Sequence, residues 1–132
     1  MDRIDRIEES IEYAKVRIER CDQVLRLSEN PDFQAIVAKG YFEKEAIRLV
    51  GLYGSGNLSA EQLIEIQKDM HGIGSFRRFL AQIVQEGQQA RSDLQSNQET
   101  LQEELAMRAQ MKAAGEEAPV PFDADYAGSL GA

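Results

Sequence analysis

Apolar residues recur at alternating intervals of three and four positions through much of this chain, and this spacing constrains the fold more than any other feature. The first thirty residues carry such a seam over three heptads, and the section from Ile66 to Leu101 carries one over five. Intervals of three and four place side chains on one face of an α-helix, and long seams are typical of helices that pack along their lengths. The sequence therefore predicts an all-α fold.

The N-terminal helix, expected over about residues 2–29, carries two apolar lines. Its seam consists of Ile4, Ile7, Ile11, Ala14, Ile18, Cys21 and Leu25. A second line, formed by Tyr13, Val16, Val24 and Leu27, widens the apolar stripe. We therefore expect this helix to pack against more than one neighbour.

A second helix is expected over about residues 31–53. Asn30 is a suitable N-cap, Pro31 suits the first helical position, and Asp32 suits the positive end of the helix dipole. Gly40 either breaks this helix or allows another backbone to approach it closely. We expect one or two short helices with an aromatic-rich inner face.

A turn and a long third helix follow. The glycines between residues 51 and 56 lack the lysine and the preceding strand of a phosphate loop, so they predict a turn. Ser59 and Gln62 have the spacing of a capping box, which predicts a helix over about 60–112. The expected fold is an elongated helical hairpin or three-helix bundle with a long, coiled-coil-like third helix. Residues 1–112 form the helical domain in this interpretation.

Composition limits the classes of function. The 132 residues suffice for one domain, and 15 basic against 23 acidic residues give a net charge of −8. Such an acidic chain gains little from counterion release on nucleic acid, so general DNA or RNA binding is disfavoured. One cysteine and one histidine provide neither an internal disulfide nor a His/Cys zinc site. No apolar run reaches the roughly 18 residues of a membrane span, and the charged N-terminus differs from a signal peptide.

The sequence shows no arrangement of residues suited to catalysis, so we predict a non-enzymatic protein without catalytic residues, cofactor or metal. A single histidine and a single cysteine do not form a nucleophilic triad without a scaffold that positions them. His71 lies near Ser75, Arg77 and Arg78, which favours either a phosphate-binding patch or ordinary surface packing and salt bridges.

Residues 113–132 lose the helical periodicity and are expected to form an extended or disordered acidic tail. They carry four acidic and no basic residues, which is −4 of the net charge of −8. Two prolines in this section oppose a helix and reduce the entropy lost on binding. We interpret the tail as a peptide that docks on a protein partner through Phe122, Asp123, Asp125 and Tyr126. The alternative is a disordered terminus with two incidental aromatic residues.

The seam of the third helix is the predicted oligomer interface. An asparagine at a core position of a helical seam can specify oligomeric state, although a single, solvated helix at Asn97 is an equal alternative. The small residues Gly87 and Ala90 either admit a bulky side chain such as Tyr13 or mark a close crossing with another chain. The predicted seam consists of Ile73, Leu80, Gly87, Ala90, Leu94, Asn97 and Leu101.

The stretch "NPDFQAIVAKGYFEKEAIRL", followed by a Gly/Asn turn and a long helix, resembles small uncharacterised helical proteins of tailed bacteriophages. The resemblance covers about residues 12–95 and rests on a pattern without a catalytic motif. It implies a virion or morphogenesis role, with a capsid, portal or neck component as the partner. Localisation would then be the virion, and otherwise the cytoplasm.

Three functions follow from these patterns. The first is a structural or assembly protein that oligomerises through its seams and docks a larger partner with its tail. The second is an assembly chaperone or regulator that binds a protein through the aromatic face of residues 33–53. The third is a small nucleic-acid-packaging subunit, which requires Arg77, Arg78 and Arg91 to gather on one face of an oligomer.

Overall fold

A computed structural model describes residues 2–117 of the chain, with side chains described to residue 115. All regular structure in this range is helical. Helix α1 is Arg3–Glu29. Helix α2 covers residues 31–53 in three consecutive sections, Pro31–Phe33, Gln34–Glu45 and Ala46–Tyr53. Helix α3 is Ala60–Glu117.

The predicted all-α hairpin or bundle with a long third helix is confirmed. Helix α3 contains 58 residues, which corresponds to about 16 turns. It passes through Gly115 and extends five residues beyond the predicted end at Lys112. A glycine costs a helix only about 1 kcal/mol relative to alanine, and alanines at 113 and 114 favour continuation.

Both predicted helix starts have the expected caps. Asn30 Oδ1 accepts hydrogen bonds from the backbone N–H groups of Asp32, at 2.9 Å, and Phe33, at 3.1 Å. Ser59 and Gln62 form the reciprocal capping box, with Ser59 Oγ accepting from the Gln62 backbone at 3.2 Å and Gln62 Oε1 accepting from the Ser59 backbone at 2.9 Å. These bonds satisfy backbone donors that a helix end leaves without partners. The break at residue 30 and the start of α3 therefore have local causes.

The middle section of α2, Gln34–Glu45, is a π-helix, which the sequence pattern did not predict. Gly40 lies inside it and does not break α2. A Cβ atom at residue 40 would lie 3.0 Å from the carbonyl oxygen of Ala35, five residues earlier. Because a π-helix pairs residues five positions apart, a glycine suits this position.

The described chain comprises two compact units. The larger contains residues 13–92, and the smaller contains residues 2–12 with 93–117. In the larger unit α2 packs against α3 around the buried side chains of Leu49, Ile66 and Ile73. Partly buried apolar residues surround this cluster: Phe42, Ala46, Leu58 and Met70.

Helices α1 and α3 approach each other closely in the larger unit. Cys21 and Ala90 are buried, and the Cys21 thiol lies 3.6 Å from the carbonyl oxygen of Val84, to which it donates. A Cβ atom at Gly87 would overlap the Cβ of Cys21 and lie 3.2 Å from the carbonyl oxygen of Arg17. Only glycine fits at residue 87 with the helices at this separation.

The smaller unit pairs the start of α1 with the last part of α3. Ile4 and Ile11 are buried. Arg3 Nε of α1 pairs with Glu104 Oε1 of α3 at 3.2 Å, and Arg108 Nη2 of α3 pairs with Oδ1 of Asp2, the residue before α1, at 2.7 Å. The hydrogen bond from Arg108 lowers the pKa of Asp2, and the same bond raises the pKa of Arg108.

The two apolar lines of α1 have different environments. Of the seam, Ile4, Ile11, Ala14 and Cys21 are buried, Ile7 and Ile18 are half-buried, and Leu25 is exposed. Of the second line, Tyr13, Val16 and Leu27 are exposed and Val24 is half-buried. Within the described chain this second line is therefore largely uncovered, and packing of α1 against a second neighbour stays a prediction.

Candidate interaction surfaces

An aromatic cluster lies where α2 meets α3. Tyr41 and Phe42 come from α2 and Phe76 from α3, with ring centroids 5.5 to 6.4 Å apart. The Arg77 guanidinium lies over the Phe42 ring, 5.6 Å from its centroid. Tyr41 and Phe76 keep more than a third of their surface exposed. The predicted aromatic inner face of α2 therefore reaches the surface at its edge.

The outer surface of α2 carries apolar side chains without cover in the described chain. Ile36 is 70% exposed and Ile47 is 72% exposed. Val50, one helical turn after Ile47, is also exposed. Tyr53 is exposed too, although its hydroxyl accepts a hydrogen bond from Gln67 Nε2 at 3.2 Å. Single exposed apolar residues are common, but several on one short helix favour a contact with another protein.

Within the larger unit, the exposed face of α3 carries two further large apolar residues, Ile64 and Phe79. The acidic Glu65 follows the first, and the basic Arg78 precedes the second. Both residues lie off the predicted seam, so the seam pattern did not identify them. A usable signal was present in the sequence, because a separation of 15 residues places two side chains on nearly the same side of a helix.

A groove lies at the end of the hairpin where α2 leads into α3. Its lining includes the apolar residues Leu52, Leu58 and Ile66, with the carboxylates of Glu61 and Glu65 beside them. The lining therefore combines an apolar part with two acidic side chains.

The arginines that a nucleic-acid interface requires do not gather on one face. Arg77 stacks on Phe42, Arg78 donates to Ser75 Oγ at 3.2 Å, and Arg91 pairs with Asp22 at 2.6 Å. His71 lines a shallow groove with Gln67, Met70, Gly74 and Arg78. In the described chain Arg77 therefore does not join Arg78 at a phosphate patch, and each arginine has a separate local partner.

The seven predicted seam residues face the chain's own helices where their contacts are known. Ile73 belongs to the core with Leu49, Gly87 lies against Cys21, and Ala90 is completely buried. Leu80, Leu94, Asn97 and Leu101 are half-buried. Gly87 thus accommodates Cys21, and Tyr13, which is 65% exposed, is not the side chain that the small residues admit. Pairing of the seam with a second copy stays a prediction.

Asn97 lies beside the start of α1 in the smaller unit. It lines a groove together with Arg3, Arg6, Ile7 and Ser10 of that helix. Asn97 is therefore neither fully solvated nor enclosed, and its nearest neighbouring helix belongs to the same chain.

The four predicted partner-binding residues of the tail, Phe122, Asp123, Asp125 and Tyr126, lie outside the described residues. Within residues 2–117, no set of three or more His, Cys, Asp or Glu side chains comes together as a metal site. None of the helices in this range combines the length and the apolar character that crossing a membrane requires.

Comparison with known proteins provides no further assignment. The chain matches no protein-family description, no curated protein and no solved structure.

Proposed function

We propose that this protein is a non-enzymatic structural or assembly component that binds other proteins through exposed helical surfaces. The observation that carries the proposal is the set of uncovered apolar side chains on α2, in particular Ile36, Ile47 and Val50. Leaving such side chains in water forgoes about 1.5–3 kcal/mol for each residue that a partner would bury. Helix α2 already packs against α3 through Leu49, so these residues are free for another molecule.

The resemblance to phage proteins supports a virion as the setting, with a capsid, portal or neck component as the partner. The composition of the tail supports its use as an anchor, because Phe122 and Tyr126 are large apolar groups beside two carboxylates. Large aromatic anchors next to charges are common in peptides that bind a groove with a basic rim. In this proposal the helical domain self-associates, and the tail holds it on the larger assembly.

Quantitative mass spectrometry of purified particles tests the proposal directly. We expect the protein at a fixed copy number per particle. The double variant Phe122→Ala, Tyr126→Ala should fold with unchanged helical content but fail to join particles. Tyr13→Ala, which removes an exposed aromatic residue outside the tail, is the matched control and should join normally. Absence of the wild-type protein from particles would contradict the virion role.

A second candidate function is an assembly chaperone or regulator that binds its target through α2. The partly exposed Tyr41 and the more exposed Ile47 and Val50 favour this candidate. It predicts a protein present during assembly and absent from finished particles. Ile47→Asp with Val50→Asp should then abolish target binding, whereas loss of the tail aromatics should have little effect.

A further inference from the structure

A groove in the smaller unit presents positive charge, although the chain as a whole is acidic. Its lining consists of Arg3, Arg6, Ile7, Ser10 and Asn97. Arg3 pairs with Glu104 at 3.2 Å, yet the Arg3 side chain is 67% exposed. Arg6 is exposed as well. The groove therefore offers two guanidinium groups beside one apolar side chain, Ile7.

The start of α1 separates its charges onto different faces. Arg3, Arg6 and Ser10 follow intervals of three and four residues, which place them on one face of the helix. Another face carries acidic residues at the same intervals: Asp5, Glu8 and Glu12. Glu9 falls between the two faces. An acidic ligand is therefore attracted to the groove side of this helix and repelled from the opposite side.

A row of residues on α3 leads from this groove toward the end of the helix. The row follows intervals of three and four and consists of Asn97, Thr100, Glu104, Met107 and Met111. Met107 is 53% exposed and Met111 is 69% exposed. Glu104, the acidic residue of the row, already pairs with Arg3. An apolar section thus lies between the groove and the end of α3.

The sequence after α3 complements this surface. Residues 118–132 lie outside the described residues, and they contain Phe122 and Tyr126 with Asp123 and Asp125 between them and no basic residue. Methionine sulfur makes favourable contacts with aromatic rings, and guanidinium groups bind carboxylates through two hydrogen bonds. The tail presents an aromatic residue and then two acids, which is the order in which the row presents its methionines and then the arginines of the groove.

The length of the chain beyond α3 brings these residues to the groove. A tail that turns back after Glu117 covers at most about 17 Å over the five residues to Phe122, and Met107 lies about 15 Å back along α3. The nine residues to Tyr126 cover at most about 30 Å, and Asn97 lies about 30 Å back. The tail is therefore long enough to follow the row into the groove of its own chain.

We propose that residues 120–126 fold back and dock in this groove of the same chain. Phe122 then lies against the two exposed methionines, and the two aspartates of the tail face the two arginines of the groove. The chain's own tail is favoured over a second copy, because a contact within one chain has an effective concentration on the order of 1 mM. The proposal rests on the tail as a binding peptide in the proposed function and names the surface that the tail occupies before a partner displaces it.

Tryptophan fluorescence tests the contact in the full-length chain, which contains no tryptophan. Phe122→Trp places one reporter in the docked segment, and Leu130→Trp places one beyond it as the control. We expect acrylamide to quench the first reporter severalfold less than the second, because docking shields it from solvent. Equal quenching of the two reporters would overturn the proposal.

Charge reversal in the groove tests the role of the arginines. Arg3→Glu with Arg6→Glu should raise the quenching of the Phe122→Trp reporter to that of the control, since like charges then face each other. Arg20→Glu with Arg26→Glu makes the same charge change on α1 outside the groove lining and should leave the quenching low. Circular dichroism confirms that both variants keep their helices. Equal effects of the two double variants would contradict docking in this groove.

Disulfide trapping tests which side of α3 the tail follows. Met107→Cys with Phe122→Cys should form a disulfide within one chain rapidly under mild oxidation, and the native Cys21 is buried. Ala109→Cys with Phe122→Cys is the matched control, because Ala109 is exposed, nearer the tail, and about 200° around the helix from Met107. Equal rates would overturn the proposal. Covalent dimers whose yield rises with protein concentration would also overturn it and assign the tail to a second copy.

Particle binding separates this inference from the proposed function. The variant Arg3→Glu, Arg6→Glu should bind particles more tightly than wild type, because its tail does not have to leave the groove first. Weaker binding by this variant would contradict displacement of the tail. A chain that joins particles but shows no docking by fluorescence refutes only this inference, whereas a docked tail in a chain that never joins particles refutes only the proposed function.

Discussion

Helix α3 makes two different contacts within the larger unit. Against α1 it presents small residues, with Gly87 facing Cys21 and Ala90 completely buried. Against α2 it presents large ones, with Ile66 and Ile73 around Leu49 and with Phe76 in the aromatic cluster. The first contact holds two backbones close together, whereas the second fills a wider space with side chains.

The difference predicts how each contact responds to substitution. Small residues between close backbones have no rotamers that could relieve an added atom, so the α1 contact should tolerate no increase in size. The α2 contact includes half-buried side chains such as Phe42 and Met70, which can move to fill part of a space. Replacing a large side chain by a smaller one at the α2 contact should therefore cost less stability than adding atoms to a small residue at the α1 contact.

The largest expected effect comes from Gly87→Ala. The new methyl group would overlap the Cβ of Cys21 and lie 2.8 Å from its sulfur, so the helices must separate. We expect the free energy of unfolding to fall by more than about 3 kcal/mol, despite the higher helix propensity of alanine. Urea denaturation followed by circular dichroism measures this change.

A second substitution tests whether the Cβ of Cys21 is the reason that residue 87 does not tolerate a side chain. Cys21→Gly removes the overlapping Cβ and should rescue Gly87→Ala, with a coupling energy of at least about 1 kcal/mol in a double-mutant cycle. Cys21→Ala keeps the Cβ and should not rescue it. Equal rescue by both variants would show that the sulfur, rather than the backbone separation, limits the contact.

An intermediate effect is expected from Leu49→Ala. Leu49 is 2% exposed at the centre of the α2 contact. We expect a loss of about 2–3 kcal/mol, in the lower part of the range for buried leucines, because neighbouring side chains can partly refill the space. Val50→Ala, at the adjacent exposed position, should change stability by less than about 0.5 kcal/mol. If Leu49→Ala lowered the free energy of unfolding more than Gly87→Ala does, the α2 contact would be the more sensitive of the two.

The smallest effect should come from an ion pair within α2. Arg48 donates hydrogen bonds to both carboxylate oxygens of Glu45, and these bonds lower the pKa of Glu45 and raise the pKa of Arg48. A lowered pKa in the folded state means that the pair stabilises the fold above the ordinary pKa of glutamate. This contribution is lost as the pH falls through the lowered pKa.

Arg48→Gln tests this ion pair. It should return the pKa of Glu45 to its ordinary range, which carboxyl carbon NMR titration measures directly. The melting temperature should change little, because an exposed pair within one helix contributes little stability. An unchanged Glu45 titration in the variant would show that Arg48 is not the cause of the shift.

The helices and their starts were predictable because their causes are local. The side-chain bonds of Asn30 and Ser59 reach backbone groups no more than three residues away, so four-residue patterns suffice to identify them. The seam of α1 was predictable for the same reason, because helical periodicity alone decides which side chains share a face. The π-helical section of α2 had no such local signature.

The candidate surfaces were less predictable from sequence. Tyr13 and Leu49 are both large apolar residues in helices, yet the first is exposed and the second is buried. The seam of α3 likewise suggested an interface between chains, whereas Ile73 and Gly87 contact helices of the same chain. Periodicity identifies a face that can be buried, but it does not name the surface that covers it.

The sequence by itself determined the all-α class, the helix starts and the acidic character of the chain, since propensity, capping and charge act over a few residues. Only the tertiary structure decided that Cys21 occupies the space at Gly87, 66 positions along the chain, and that Ile64 and Phe79 remain uncovered. Burial depends on which distant surfaces meet and how closely their backbones approach. Which surfaces pack together depends on the shapes of whole helix faces, and a short sequence pattern does not predict it.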